Sequence, residues 1–163
     1  MEPKLEYRNE QPYVAIRTQV TIPFGDVLDQ LFPEVFAWLE KQGSVPTRAP
    51  FIRYLVVEMP RLDIEVGVPV ETAVSGDGRI SAGVLPAGRY AVLMHTGPYD
   101  GLLDATAGLL AWAEENGIVW QTSEDGKTWG ARIEFYLTNP AEEPDPQNWQ
   151  TELAFLVAAD QTG

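Results

Sequence analysis

A carboxylate and a phenol stand two residues apart in residues 131–140, A-R-I-E-F-Y-L-T-N-P, as Glu134 and Tyr136. Ile133, Phe135 and Leu137 alternate there with Arg132, Glu134, Tyr136 and Thr138, the pattern of a strand with one apolar and one polar face. Side chains two apart on a strand share a face, so the two groups stand together. Covering them is costly unless something complementary meets them. Such a pair supports recognition of a cation, or general acid and base work. The plainer alternative is an exposed Glu134 paired with Arg132 or Arg53 across a sheet, which is worth little. Tyr136 and Tyr54 could likewise be ordinary strand formers with wet hydroxyls.

The rest of the composition narrows the chemistry. The 163 residues contain no cysteine, which removes disulfides, thiolate metal sites and thiol nucleophiles. A single histidine, His95, shares strand parity with Ala91 and Leu93 and reads as a packing or turn residue; no metal and no cofactor is expected. Glycine-rich phosphate loops, HExxH helices and nucleophile elbows are missing from the sequence. With 24 acidic against 11 basic residues, the net charge of −13 repels phosphate backbones, so nucleic acid is not expected as a direct partner. No apolar run is long enough to cross a bilayer, and the start M-E-P-K-L-E-Y lacks the basic and apolar regions of a signal peptide, so a cytoplasmic protein without a membrane partner is expected.

The elements that must position the pair follow in chain order. Residues 11–20 alternate as a strand; residues 24–42 carry Leu28, Leu31, Val35 and Leu39 at helical spacing, with Gly43 as a stop and Pro33 expected to kink the helix or open a second one. Strands over 51–58 and 62–70 come next, joined by Met59-Pro60-Arg61, and Ser75-Gly76-Asp77-Gly78 is a loop at the midpoint. The order then returns: a strand over 89–96, a helix over 100–116, and strands over 131–139 and 151–158.

The halves superimpose as sequences. Tyr13-Val14-Ala15-Ile16 falls on Tyr90-Ala91-Val92-Leu93, the segment from Trp38 to Gly43 on that from Trp112 to Gly117, Pro60 on Pro140, and Glu65-Val66 on Glu152-Leu153. A twice-occurring βαββ unit accounts for these matches. The expectation is an α+β fold in one domain, with a first repeat over about 5–73 and a second over about 85–160. Two units related by a pseudo-twofold join edges into one antiparallel sheet, with both helices on one face and a concave cleft on the other. Parity then assigns Tyr54, Glu65, Glu134, Tyr136 and Glu152 to the cleft, and Val14, Ile16, Leu39, Leu93, Leu109, Ile133, Phe135, Leu153 and Phe155 to the core. Trp112, at the helix position equivalent to Trp38, is a candidate cleft wall against the alternative of core packing. Trp120, Trp129 and Trp149 lie near loops, where one or more could lid a pocket. Asp26, Asp29, Glu114 and Glu115 read as solvated helix faces.

The duplicated βαββ order, H-T-G-P-Y-D-G-L before the second helix, and R-I-E-F-Y-L-T-N-P followed by T-E-L-A-F-L-V resemble the GyrI-like small-molecule-binding family. That family includes effector-binding halves of multidrug-sensing regulators of the AraC and MerR classes, stand-alone gyrase-inhibitor-like proteins, and members that hydrolyse cyclopropane-bearing genotoxins. The resemblance implies that Glu134 is the cleft carboxylate that meets cationic ligands, Tyr136 its aromatic neighbour, Tyr99 part of the rim, and Glu152 a second acidic position. It implies first a stand-alone binder of amphipathic, cationic or aromatic small molecules, a sensor or sequestering protein. Second comes a hydrolase in which Glu134 and Glu152 divide the roles of acid and base, and third a partner docking on a basic protein. Residues before 11 and after 158 are too few for a helix-turn-helix, so direct transcriptional control is not expected.

Overall fold

In a computed structural model the described residues are 2–158. Eight strands, β1 (Lys4–Arg8), β2 (Gln11–Thr21), β3 (Phe51–Glu58), β4 (Arg61–Pro69), β5 (Ile80–Leu85), β6 (Gly88–Thr96), β7 (Arg132–Tyr136) and β8 (Gln150–Leu156), and two helices, α1 (Gly25–Gln42) and α2 (Leu102–Glu115), make an α+β fold. The strands form one antiparallel sheet in the order β1-β6-β8-β7-β3-β4-β2-β5. Outward from the β7–β3 seam each side repeats the same three strands, β7-β8-β6 and β3-β4-β2. The two edge strands are exchanged, β1 lying on β6 and β5 on β2. This is the duplicated, pseudo-twofold arrangement.

Neither edge strand carries a clear strand signal in the sequence. β1 is polar and short, and β5, ISAGVL, lacks the alternation that marks a half-buried strand. β5 also holds Gly83, against which the Tyr13 ring leans: a Cβ there would fall 2.6 Å from the phenol. Only Pro86 and Ala87 connect β5, at one end of the strand order, to β6, next to the other end. A link this short requires the sheet to curl until its ends approach. The inside of the curl is packed by Tyr13, Phe51, Leu85, Tyr90, Val92, Ile133, Phe135 and Leu156.

Both helices stand on the outer face of the curl. α1 sets Leu31, Val35 and Leu39 on Val14, Ile16, Ile52, Ile64 and Val66, and α2 sets Leu109 on Ala91, Leu93, Leu153 and Phe155. Gly43 ends α1 at φ 70°, and the Ser44 amide donates to the Leu39 carbonyl, as a glycine stop should. Pro33 neither divides the helix nor opens a new one. It sits in the middle of α1 on the exposed side, where the Asp29 carbonyl that loses its usual amide partner can meet water.

The nine expected core residues are all buried. Ile133 and Phe135, however, are under the curl and not under the helices, and their strand neighbours Glu134 and Tyr136 point to the helix side. The expected assignment of the cleft to the face opposite the helices is therefore reversed. The apolar face of β7 need not be the helix face, because the curl supplies a second apolar interior, so parity alone leaves the side undetermined.

Candidate functional site

Glu134 is paired in register with Ile52 across the β7–β3 seam, so it lies where the two halves meet. The helices diverge over this seam and leave a cleft of about 1030 Å³. Its floor is Ile52, Tyr54, Arg132, Glu134 and Tyr136. One wall is Phe24, just before α1, with Leu28, Phe32 and Phe36 from α1; the other is Tyr99, Leu102, Leu103 and Thr106 from the turn Tyr99–Gly101 and α2. A largely apolar concavity with a few convergent polar groups is the usual form of a small-molecule site.

At its base, both phenols donate to the same carboxylate oxygen. Tyr136 lies 2.7 Å and Tyr54 2.9 Å from Glu134 Oε1, and Glu134 is 8% exposed. Burial raises the Glu134 carboxyl above its ordinary range, against the lowering pull of the Tyr136 and Tyr54 hydroxyls and of the Arg132 and His95 charges. The two phenols are themselves raised, first by burial and then by the neighbouring carboxylate, so they remain donors throughout the physiological range. The polar group is thus desolvated, oriented and only half satisfied, since no hydrogen bond among the described residues reaches Oε2.

Aromatic rings extend from this centre. Phe32 meets the Tyr136 ring edge-on at 6.0 Å, Tyr99 does so at 5.7 Å, and Trp149 lies against Tyr99 at 4.8 Å. Trp149 is held by its indole N–H, which donates to the Glu143 carbonyl. Asp26, Asp29, Asp100 and Glu142 stand around the rim. Asp26 and Asp29, read as solvated helix residues, therefore belong to the mouth.

Of the residues singled out from the sequence, Glu134, Tyr136, Tyr54 and Tyr99 meet in this cleft, and Trp112, Glu65 and Glu152 do not. Trp112, on α2, packs half-buried against the cluster around Leu93 and Phe155. Glu65 and Glu152 are inside the curl. Glu65 accepts from the Tyr13 hydroxyl at 2.5 Å, beside Arg53, and Glu152 is 2.8 Å from Arg8. Glu152 pairs in register with Phe135, one residue from Glu134, and so faces the opposite side of the sheet. The expected pairing of Glu134 with Glu152 as acid and base is not possible: the sheet lies between them. Trp120 and Trp129 pack on each other and on Phe155, away from the cleft; Trp149 alone of the three stacks on a cleft residue, as the buttress of Tyr99. His95 contacts the Pro98 carbonyl through Nε2 at 2.9 Å, a turn role at the end of β6. Among the described residues no cluster of histidine and acidic side chains could hold a metal ion, and no helix is long and apolar enough to cross a membrane.

The α1 wall and Arg132 were missed. The signal for the wall was present: Leu28, Phe32 and Phe36 form a second apolar row, i, i+4, i+8, beside the core row Leu31, Val35 and Leu39, and one sheet cannot cover both rows.

The GyrI-like small molecule binding domain matches residues 1–158. The C-terminal domain of EcmrR superimposes with a TM-score of 0.83 at 25% identity, over 97% of this chain and 98% of that one. EcmrR bound to DNA gives 0.82 at 25% identity, over 97% of this chain, and this chain spans only 57% of that longer one. Two further structures share the fold: a hydrolase from Listeria innocua (TM-score 0.63, 13% identity, 96% and 92% of the two chains) and SAV2435 bound to tetraphenylphosphonium (0.59, 12%, 97% and 94%). No curated protein matches the chain. A curled eight-stranded sheet, two helices parted over its seam and a match over residues 1–158 lead to one conclusion: the chain belongs to the GyrI-like small-molecule-binding domain family.

Proposed function

We propose that this chain binds amphipathic aromatic cations in the cleft between α1 and α2 and acts as a sensor or sequestering module for such compounds. The observation that carries the reading is the buried Glu134 carboxylate, oriented by Tyr54 and Tyr136 and left with one oxygen open at the base of an aromatic cleft. A delocalised cation can enter such a site without the heavy dehydration that a compact ammonium requires. The Tyr99, Tyr136 and Phe32 rings supply apolar area and cation–π attraction, and the carboxylate supplies the charge. The rim acids add a long-range pull on cations. Tetraphenylphosphonium, seen on a protein of the same fold, is a fitting probe. Titration of wild type and Glu134→Gln with tetraphenylphosphonium at neutral pH tests the reading. Binding that weakens in the variant supports it, and equal affinity of the two proteins removes Glu134 from the site.

The hydrolase reading persists only in a single-carboxylate form, because Glu152 is across the sheet. What favours it is the burial of Glu134, which raises its carboxyl and so favours the protonated form that a general acid needs. Turnover of a strained electrophile by wild type and none by Glu134→Gln is the outcome this second reading requires.

A further inference from the structure

The cleft holds a second charged group, and it has the opposite sign. Arg132 precedes Glu134 by two residues on β7 and shares its face. Its guanidinium is clasped by aromatic rings, 4.8 Å from the centroid of Trp129, 4.9 Å from Phe155 and 5.8 Å from Tyr54. Burial lowers its pKa, and no carboxylate lies within 4.0 Å of it among the described residues. None of the described hydrogen bonds uses any of its five N–H groups, whereas the half-buried Arg8 and Arg53 each donate to a carboxylate, hydroxyl or carbonyl. Arg132 lines the cleft, and none of its nitrogens is among the buried polar atoms left without a partner, so its donors are open to an incoming acceptor. The stacked rings hold the guanidinium in place and leave its N–H edge open to an acceptor. A purely cationic ligand would leave these donors unmet and would add repulsion.

We propose that Arg132 determines specificity by selecting zwitterionic amphiphiles: an aromatic cation facing Glu134, carrying a carboxylate or similar planar acceptor that meets the Arg132 fork. This rests on the cation-binding reading above and refines its ligand class. The two residues lie two apart on one strand face, about 7 Å along the backbone, close enough for one compact ligand to meet both side chains. The rim acids Asp26, Asp29, Asp100 and Glu142 and the floor group Glu134 all favour the cationic end; Arg132 is the one basic side chain lining the cleft among the described residues.

Rhodamine B and its ethyl ester test this directly. They share a xanthene cation, and only the first carries a free carboxylate. By fluorescence anisotropy the wild type should bind rhodamine B about tenfold or more tighter than the ester, the size of one charge-assisted contact. Arg132→Met should abolish that preference and strengthen binding of the ester, and Arg132→Lys, which keeps the charge without the planar fork, should fall between. Should Arg132→Met fail to fold, the wild-type preference and the Lys variant decide. Equal or tighter binding of the ester by wild type, or a preference unchanged in Arg132→Lys and Arg132→Met, overturns the role of Arg132 and leaves the cation-binding reading standing. If neither dye binds, both fall.

Discussion

Replacing Glu134 by glutamine separates charge from shape, because a glutamine oxygen can accept the same two phenol hydrogen bonds at Oε1. Its effect on the unliganded protein follows from the sign of the carboxyl shift. Burial raises the folded-state pKa above the ordinary value of 4.5. Below that ordinary value the carboxyl is neutral in both folded and unfolded states, and burial costs nothing extra. As pH rises through the raised folded value, stability is lost, because an ionised group must be kept in the cleft floor. Glu134→Gln should therefore be more stable than wild type at pH 8 and indistinguishable from it at pH 4. Each unit of elevation corresponds to about 1.4 kcal/mol. In a chain of this length each kcal/mol moves Tm by about 2–4 °C. Binding should change in the opposite direction: loss of the charge-assisted contact costs about 1–3 kcal/mol for an aromatic cation, or roughly five- to 150-fold in Kd. Wild-type affinity should itself fade as pH falls through the raised value, whereas the variant's affinity stays flat. Differential scanning fluorimetry and dye titration over the same pH series read both effects. A variant that is less stable at pH 8 and binds the cation as well as wild type would refute the claim that this carboxylate is a buried charge kept for a ligand.

Tyr136→Phe and Tyr54→Phe each remove one donor to Glu134, so each should push the pH midpoint of cation binding upward and cost about 1 kcal/mol of affinity at neutral pH, measured by the same titration. Phe32→Ala should weaken aromatic binding while costing the fold less than Leu39→Ala, which opens a cavity in the fully buried core and should cost about 2–5 kcal/mol by denaturant unfolding. Glu152→Gln, inside the curl, should destabilise by loosening Arg8 and leave cation affinity unchanged, a contrast that checks the placement of the two carboxylates on opposite faces. In a gel-shift assay at physiological salt the chain should not shift duplex DNA, given its net charge of −13.

Much of this architecture was legible in the sequence, because each half repeats a pattern with a physical cause. Tyr13 and Tyr90 both face the inside of the curl, Val14 and Ala91 both face a helix, and Trp38 and Trp112 are both half-buried on their helices, as the repeat requires. Glu134 and Tyr136 were legible as a pair because strand parity is strict. The side they face was not. β7 alternates whether its apolar residues pack under helices or inside a curl, and the two-residue link that forces the curl becomes informative only once the strand order is known. Glu152 misled for the same reason: adjacent strands and matching residue types do not fix a common face when the register is off by one. Arg132 escaped attention because sequence offers it as a partner for Glu134. In the fold, aromatic rings turn it away from that role.

A crystal structure with tetraphenylphosphonium tests the central claim most directly. The phosphonium centre should sit between α1 and α2 over the β7–β3 seam, with its phenyl groups against Phe32, Tyr99 and Tyr136 and its charge toward the open oxygen of Glu134. Density for the cation on the curl side beside Phe135 and Glu152, or a cleft left without it at saturating ligand, would contradict the account.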